Sequence, residues 1–372
     1  MKLQRVGVIA GLLASAIALA ACSSSSNDKS GGGSSSTNTT AASGPACSSG
    51  KLNAQGSTAQ TNAINQWIKD YQSACSGATI NYNPTGSGAG VTAFIAKQDD
   101  FVGSDSALSK DKGEYDKAQT ACGSAPMDLP MVVGPIALAY KLNGVDKLIL
   151  NGELTAKIFL GKIKTWNDPA IKALNPDANL PSTNISVVYR SDSSGTTQNF
   201  EKYLAATAPS VFTSTPDKDS SKAGFAGQGK AKSQGVAAAL ASTEGSIGYV
   251  EYSFAVSGGL STAQIDNGGG PVELSKDTAS KAAEAATVNS SGPGDLSLKI
   301  DYATKTAGAY PIILVTYEIV CTKYSDAAKG TFVKNFLGYA SDAGQAKLAQ
   351  LGYAPLPTSL QTQVKASIAT IS

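Results

Sequence analysis

Ile185, Val187 and Tyr189 alternate with Ser186 and Val188, a spacing that predicts a strand. Phe200, Tyr203 and Leu204 then recur at helical spacing. The segment between them, Arg190–Thr197 (RSDSSGTT), is therefore expected to carry the chain from a strand into a helix N-terminus. The same unit occurs upstream. Lys51–Gln55 predicts a short strand, Gly56-Ser57-Thr58-Ala59 a polar turn, and Ile64, Trp67, Ile68 and Tyr71 an amphipathic helix. Ile80 and Tyr82 alternate before TGSGAG at 85–90, after which Val91, Phe94 and Ile95 fall at helical spacing. Phe101–Asp105 reads as a strand that ends in an acid.

Further along, Met131–Tyr140 reads as a nearly all-apolar, fully buried strand and Pro311–Val320 as a second, wholly apolar one. Leu154–Leu174 is a helical region carrying Trp166 and broken before Pro169. Residues 213–235 read as a surface loop, Gly245–Tyr252 as a strand and 287–297 as a loop. Phe332, Phe336 and Leu337, and then Leu360, Val364 and Ile368, mark C-terminal helices. Strands alternating with helices predict an α/β fold with a mainly parallel sheet, in which ligands bind at the carboxyl ends of strands. The polar turns named above fall at such ends.

The turn at 190–197 has the chemistry of an anion site. The first turn of a helix presents unpaired N–H groups and a partial positive charge. Ser194, Gly195, Thr196 and Thr197 place those donors beside hydroxyls, and Gly195 admits close approach to the backbone. Arg190 adds a planar fork suited to oxyanions. The alternative for this stretch alone is a polar helix cap with a surface arginine. Two other glycine-rich stretches carry less. Gly224–Lys230 matches a phosphate loop, but Ala231 stands where a hydroxyl residue is needed to hold Mg²⁺. In Gly86–Gly90 the serine is not in the central position of a nucleophile elbow.

Composition narrows the class. The 372 residues are 42% hydrophobic and 16% charged with a formal net charge of +2, which suits a globular protein and argues against broad nucleic-acid binding. The sequence contains no histidine, which excludes Ser–His and Cys–His catalysis and His-ligated metal sites. Neither a metal site nor a cofactor is expected.

Residues 1–21 read as a signal peptide: Lys2 and Arg5 precede an apolar run from Val6 to Ala20. Leu19-Ala20-Ala21-Cys22 resembles a bacterial lipobox, in which the cysteine is lipidated, against the alternative of an ordinary small-residue cleavage site. Residues 22–46 then form a Ser/Gly/Thr-rich tether. Two acyl chains on Cys22 would be enough for stable anchoring. Cys47, Cys75, Cys122 and Cys321 remain, an even number in an exported chain, which favours disulfides over buried thiols. Cys47 and Cys75 flank one strand–helix unit, so Cys47–Cys75 with Cys122–Cys321 is the favoured pairing.

Taken in order, GST at 56–58, TGSGAG at 85–90, FVGSDSALS at 101–109, FLGKIKTWNDPAI at 159–171, RSDSSGTTQNF at 190–200 and GSIGYVEY at 245–252 resemble the periplasmic phosphate-binding proteins (PstS) of phosphate ABC transporters. The resemblance covers nearly all of the chain beyond the tether. It implies two α/β lobes with phosphate clamped between them: residues 47–131 and 309–372 in lobe I, 132–308 in lobe II. It implies phosphate contacts from Thr58, Ala59, Ser87, Asp105, Arg190, Ser194, Gly195 and Thr196, with Asp192 orienting Arg190. The contact from Ala59 is expected through its backbone N–H. The implied partners are inorganic phosphate and the permease subunits, with no nucleic acid. The protein is expected to act as a monomer on the outer face of the membrane, held there through Cys22.

The residues agree with that implication. Arg190 and Asp105 are the charged groups of the set and cancel, so phosphate would be held mainly by neutral dipoles. A carboxylate beside an anion is unfavourable unless the anion has a proton to donate. Hydrogen phosphate has one and sulfate does not. Two rival functions are a receptor for another oxyanion, sulfate or molybdate, and a phosphomonoesterase or serine hydrolase using Ser87 or Ser194. The latter lacks an evident base to activate its nucleophile.

Overall fold

The computed structural model describes residues 44–372. The expected leader and Cys22 lie outside the described residues. Gly50–Gly56 pairs in parallel with Ala78–Asn83 on one side and Phe101–Ser104 on the other. Ile313–Cys321 follows, antiparallel to both Phe101–Ser104 and the long strand Pro126–Lys141. The far half of that long strand pairs antiparallel with Ser246–Glu251, after which Ser186–Arg190 and Gln228–Lys230 continue in parallel. With Ser261–Thr262 on the long strand, the sheet has nine strands.

Pro126–Lys141 organises the molecule because it belongs to two cores. Every residue of it as far as Tyr140 is buried, which is why its sequence shows an apolar run and no alternation. As far as Val133 it packs with Leu52, Trp67, Phe101, Val315 and Phe336. From Ile136 it packs with Phe159, Trp166, Phe200 and Tyr249. A second segment also touches both cores: Tyr310, Ile312 and Leu314 lie in the second, Ala309, Ile313 and Val315 in the first. The two passages are tied together where Ile136 N donates to Ile312 O at 2.8 Å and the Tyr310 hydroxyl donates to Ile136 O at 2.9 Å.

Helices follow the strands as their apolar spacing predicts. Thr61–Ala74 buries Ile64, Trp67 and Tyr71 on one face, and Ala327–Ser341 buries Phe332, Phe336 and Leu337. Both disulfides form, Cys47–Cys75 and Cys122–Cys321, with Cα–Cα distances of 5.3 and 5.5 Å. No described helix is long and apolar enough to cross a membrane.

The structure corrects several expectations. Residues 213–235 are not a continuous loop. They contain a 3₁₀ turn at Ser220–Lys222, the strand Gln228–Lys230 and the start of the helix Lys232–Ser242. That strand lies at the sheet edge with two of its residues exposed, so it has no apolar pattern to read. In Ser186–Arg190 both Val187 and Val188 are buried, because each face of the sheet is covered. The strand Ile313–Cys321 is not wholly apolar, since it buries Thr316 and Glu318. Ala279, Ala282, Ala283 and Leu296 pack in the first core.

Candidate binding site

The polar turns converge. Gly50–Gly56 ends at Ser57-Thr58-Ala59, Ala78–Asn83 leads to Gly86 and Ser87, and Phe101–Ser104 ends at Asp105. From the second core come Arg190 at the end of its strand, the helix Gly195–Thr207, and Ser233 in the first turn of Lys232–Ser242. All are buried: Thr58, Ser87, Asp105, Arg190, Ser194, Thr196 and Ser233 are each 3% exposed or less.

Asp105 is ringed by hydroxyls. Ser57 and Thr316 donate to Oδ1, the latter at 2.9 Å. Ser87 and Thr196 donate to Oδ2 at 3.3 and 3.1 Å. Burial pushes the Asp105 carboxyl up, and the hydroxyls together with the charge of Arg190 pull in the other direction without cancelling it. Asn199 Nδ2, from the helix behind, donates to Asp105 O at 2.7 Å and to Gly195 O at 2.8 Å.

Arg190 is held by Asp192 through both arms of its fork, Nε to Oδ1 at 2.7 Å and Nη2 to Oδ2 at 2.5 Å. Burial pushes the Asp192 carboxyl up, but the hydrogen bonds and charge of Arg190 outweigh it and hold the group below its ordinary value. The bidentate pair is thus spent inside the protein. Nη1 points instead to Ser233 Oγ at 3.5 Å, on the side of Thr58.

Ser194 caps the helix Gly195–Thr207 by accepting from Thr197 N at 3.2 Å, and its own amide donates to Lys218 O at 2.9 Å. That leaves the amides of Gly195 and Thr196 as the free donors of the first turn. Glycine is required at 195 by crowding: a Cβ there would lie 2.7 Å from Asp105 Cβ and 2.8 Å from Ser87 Oγ. Gly86 has a φ of +103°, and a Cβ there would meet Asp192 Oδ2 at 2.7 Å.

Ala59 departs from expectation in one respect. Its N–H donates to Ser57 Oγ at 3.1 Å within its own turn, so Ser57 stands between this amide and Asp105. The residues that sequence reasoning missed are Ser57, Thr316, Asn199 and Ser233. Ser57 was visible as a hydroxyl within GST. Thr316 was hidden in an otherwise apolar strand, and Ser233 in a segment without periodicity. Ser233 Oγ lies 2.8 Å from Thr58 Oγ1 and its amide donates to the same atom at 3.2 Å, linking turns from the two cores. The described residues contain no cluster of His, Cys, Asp and Glu suited to a metal ion.

The site is a buried cluster of hydroxyls and helix N-terminal amides, with Arg190 paired to Asp192 and a second carboxyl, Asp105. A family model described as a PBP superfamily domain matches residues 41–343. Phosphate-binding protein PstS 3 of Mycobacterium tuberculosis is 44% identical over 379 aligned positions, covering 100% of both chains. Phosphate-binding protein PstS 2 of the same organism is 42% identical over 381 positions, again covering 100% of both.

The chain belongs to the PstS family of phosphate-binding proteins.

Another PstS relative, from Xylella fastidiosa, is 35% identical and covers 85% of this chain and 84% of its own. Among solved structures, a high affinity periplasmic phosphate-binding protein bound with phosphate superposes with a TM-score of 0.68, covering 85% of this chain and 93% of its own. A putative phosphate ABC transporter substrate-binding protein from Clostridium perfringens gives a TM-score of 0.57 over 83% and 100%. At 23% and 18% identity, these two likenesses speak for the fold alone.

Proposed function

We propose that this PstS-family chain is an extracytoplasmic receptor that captures hydrogen phosphate and delivers it to an ABC permease. The observation that carries this reading is Asp105. It is buried, it accepts from surrounding hydroxyls, and its only cationic neighbour in the cluster is already paired with Asp192. Such a site favours a ligand that brings its own proton. Full-length relatives named as phosphate-binding proteins support the same reading.

In this reading phosphate lies between Thr58, Ala59 and Ser87 on one side and Arg190, Ser194, Gly195 and Thr196 on the other. Asp105 accepts the ligand proton and Asp192 holds Arg190 in place. Residues 47–131 and 309–372 form one lobe and 132–308 the other, with the helix and loop around 276–298 leaning on the first. The chain acts as a monomeric binding protein and not as a catalyst. Cys22 carries the lipid that keeps it on the outer face of the membrane.

Receptors for sulfate or molybdate are the runner-up reading, and Asp105 argues against them because those anions have no proton to offer it. Isothermal titration with phosphate, arsenate and sulfate tests the proposal. One-to-one phosphate binding, with sulfate far weaker, is expected. Equal binding of sulfate, or release of phosphate from an ester by the same preparation, would overturn it.

A further inference from the structure

A separate cavity of about 820 Å³ adjoins the cluster, with Asp105 and Asn199 in the wall they share. Its size is that of a pocket for a small organic ligand, far more room than orthophosphate needs. All the hydroxyl contacts to the Asp105 carboxyl come from the cluster, and Asn199 is fixed by its bonds to Asp105 O and Gly195 O and by the Tyr302 hydroxyl.

Lys110, Lys112, Lys202, Lys218 and Lys299 line it against the carboxyls of Asp105, Asp111 and Glu114, so lysines are in excess. Some of these charges are answered. Lys112 pairs with Asp217 at 3.0 Å, and Lys218 with Glu114 at 2.9 Å. Lys110 donates to Ser291 O at 2.8 Å and lies 5.2 Å over the Tyr115 ring. Lys202 and Lys299 have neither an ion pair nor a hydrogen bond among the described residues. Burial, followed by the neighbouring charges of Lys218 and Lys112, holds the Lys202 amine below the usual lysine range. In the same wall Ser106 is 5% exposed, and its buried hydroxyl has no partner among the described residues. A buried donor without an acceptor is costly, and an unpaired, partly desolvated ammonium more so.

We infer that this cavity is a second anion site, distinct from the Asp105 cluster, for a linear di- or triphosphate. Lys202 and Lys299 supply the cationic contacts and Ser106 a hydroxyl. A linear chain of phosphoryl groups carries several anionic oxygens and can meet more than one lysine at once. The chain of phosphoryl groups is the recognised chemistry, whether free or attached to a nucleoside.

The test uses the full chain saturated with orthophosphate, so that the Asp105 cluster is occupied. It is titrated calorimetrically with inorganic tripolyphosphate, and separately with ATP. A further one-to-one event with tripolyphosphate is expected, which orthophosphate does not compete away. A matching event with ATP would extend the site to nucleoside-linked chains. Lys202→Gln should weaken the event at least tenfold and Ser106→Ala several-fold, with orthophosphate affinity unchanged. Should Lys202→Gln fail to fold by thermal melting, the exposed Lys299→Gln is the deciding variant and should also weaken it several-fold. No event with either anion would overturn the inference. So would displacement of orthophosphate by tripolyphosphate, or an event unaffected by both lysine variants.

Discussion

Arg190 and Asp192, two residues apart in the turn, hold each other by Nε–Oδ1 at 2.7 Å and Nη2–Oδ2 at 2.5 Å, with the arginine side chain 2% exposed. The guanidinium is therefore oriented by the protein before any ligand arrives, and its charge is largely answered. Lysine at 190 would keep the charge and lose the fork. Arg190→Lys should weaken phosphate at least tenfold, about 1.4 kcal/mol, measured by isothermal titration. Asp192→Asn leaves a buried cation poorly compensated and should cost about 2 kcal/mol of stability in urea unfolding, less when phosphate is present to share the charge. Unchanged affinity in the first variant and unchanged stability in the second would remove both residues from the site.

Ser233 gives a second prediction. It joins Thr58 by hydroxyl and amide, so it fixes a turn of the first core against a helix of the second. Ser233→Ala removes the hydroxyl that touches both Thr58 Oγ1 and Arg190 Nη1. Phosphate affinity should fall several-fold, in line with a buried hydrogen bond of about 1 kcal/mol, with dissociation faster in stopped-flow exchange. An unaltered dissociation rate would mean that this bridge plays no part in holding the ligand.

Stability should depend on pH through Glu318. Both of its carboxyl oxygens are buried without a partner among the described residues. Burial first, and then the charge of Asp105, pushes the carboxyl from 4.5 up to about 8, while Gln60 beside it works the other way. Between those values the folded protein keeps a proton that the unfolded chain has released. Ligand-free stability should therefore fall as pH rises from 4.5 towards 8, by at most about 1.4 kcal/mol per pH unit for this group. Asp128 and Glu251, also pushed up by burial, add slope of the same sign. Urea unfolding at several pH values should give a shallower slope for Glu318→Gln, with the variant more stable than the parent near pH 8. Parallel slopes for the two proteins would place the titrating group elsewhere.

Much of the site was legible because its signals are local. A strand that ends in GST, TGSGAG, SD or RSDSSGTT declares its own turn, and the resemblance to PstS proteins tied those turns into one site. Asp192 was legible as the partner of Arg190 for the same reason. What could not be read depends on tertiary placement. Gln228–Lys230 is an edge strand defined by pairing alone, so neither it nor Ser233 beyond it carried a pattern. Thr316 and Glu318 lie on a strand buried on both faces, where period-two spacing says nothing about which side chain meets Asp105. The engagement of the Ala59 amide by Ser57 is a detail of turn geometry that composition does not encode.

In the proposed reading, Asp105 selects phosphate by accepting the ligand's proton. An asparagine amide can donate as well as accept, so Asp105→Asn should relieve the clash with a fully ionised anion while keeping the shape of the site. The deciding measurement is competition titration of phosphate and sulfate against the parent and Asp105→Asn, at fixed pH and ionic strength. The parent should prefer phosphate by roughly 10⁴-fold or more, as expected of sites built to bond a specific O–H. The variant should lose most of that preference, chiefly through a gain in sulfate affinity. An unchanged phosphate-to-sulfate ratio would contradict the claim and move discrimination to the donors of Thr58, Ser87 and Ser194.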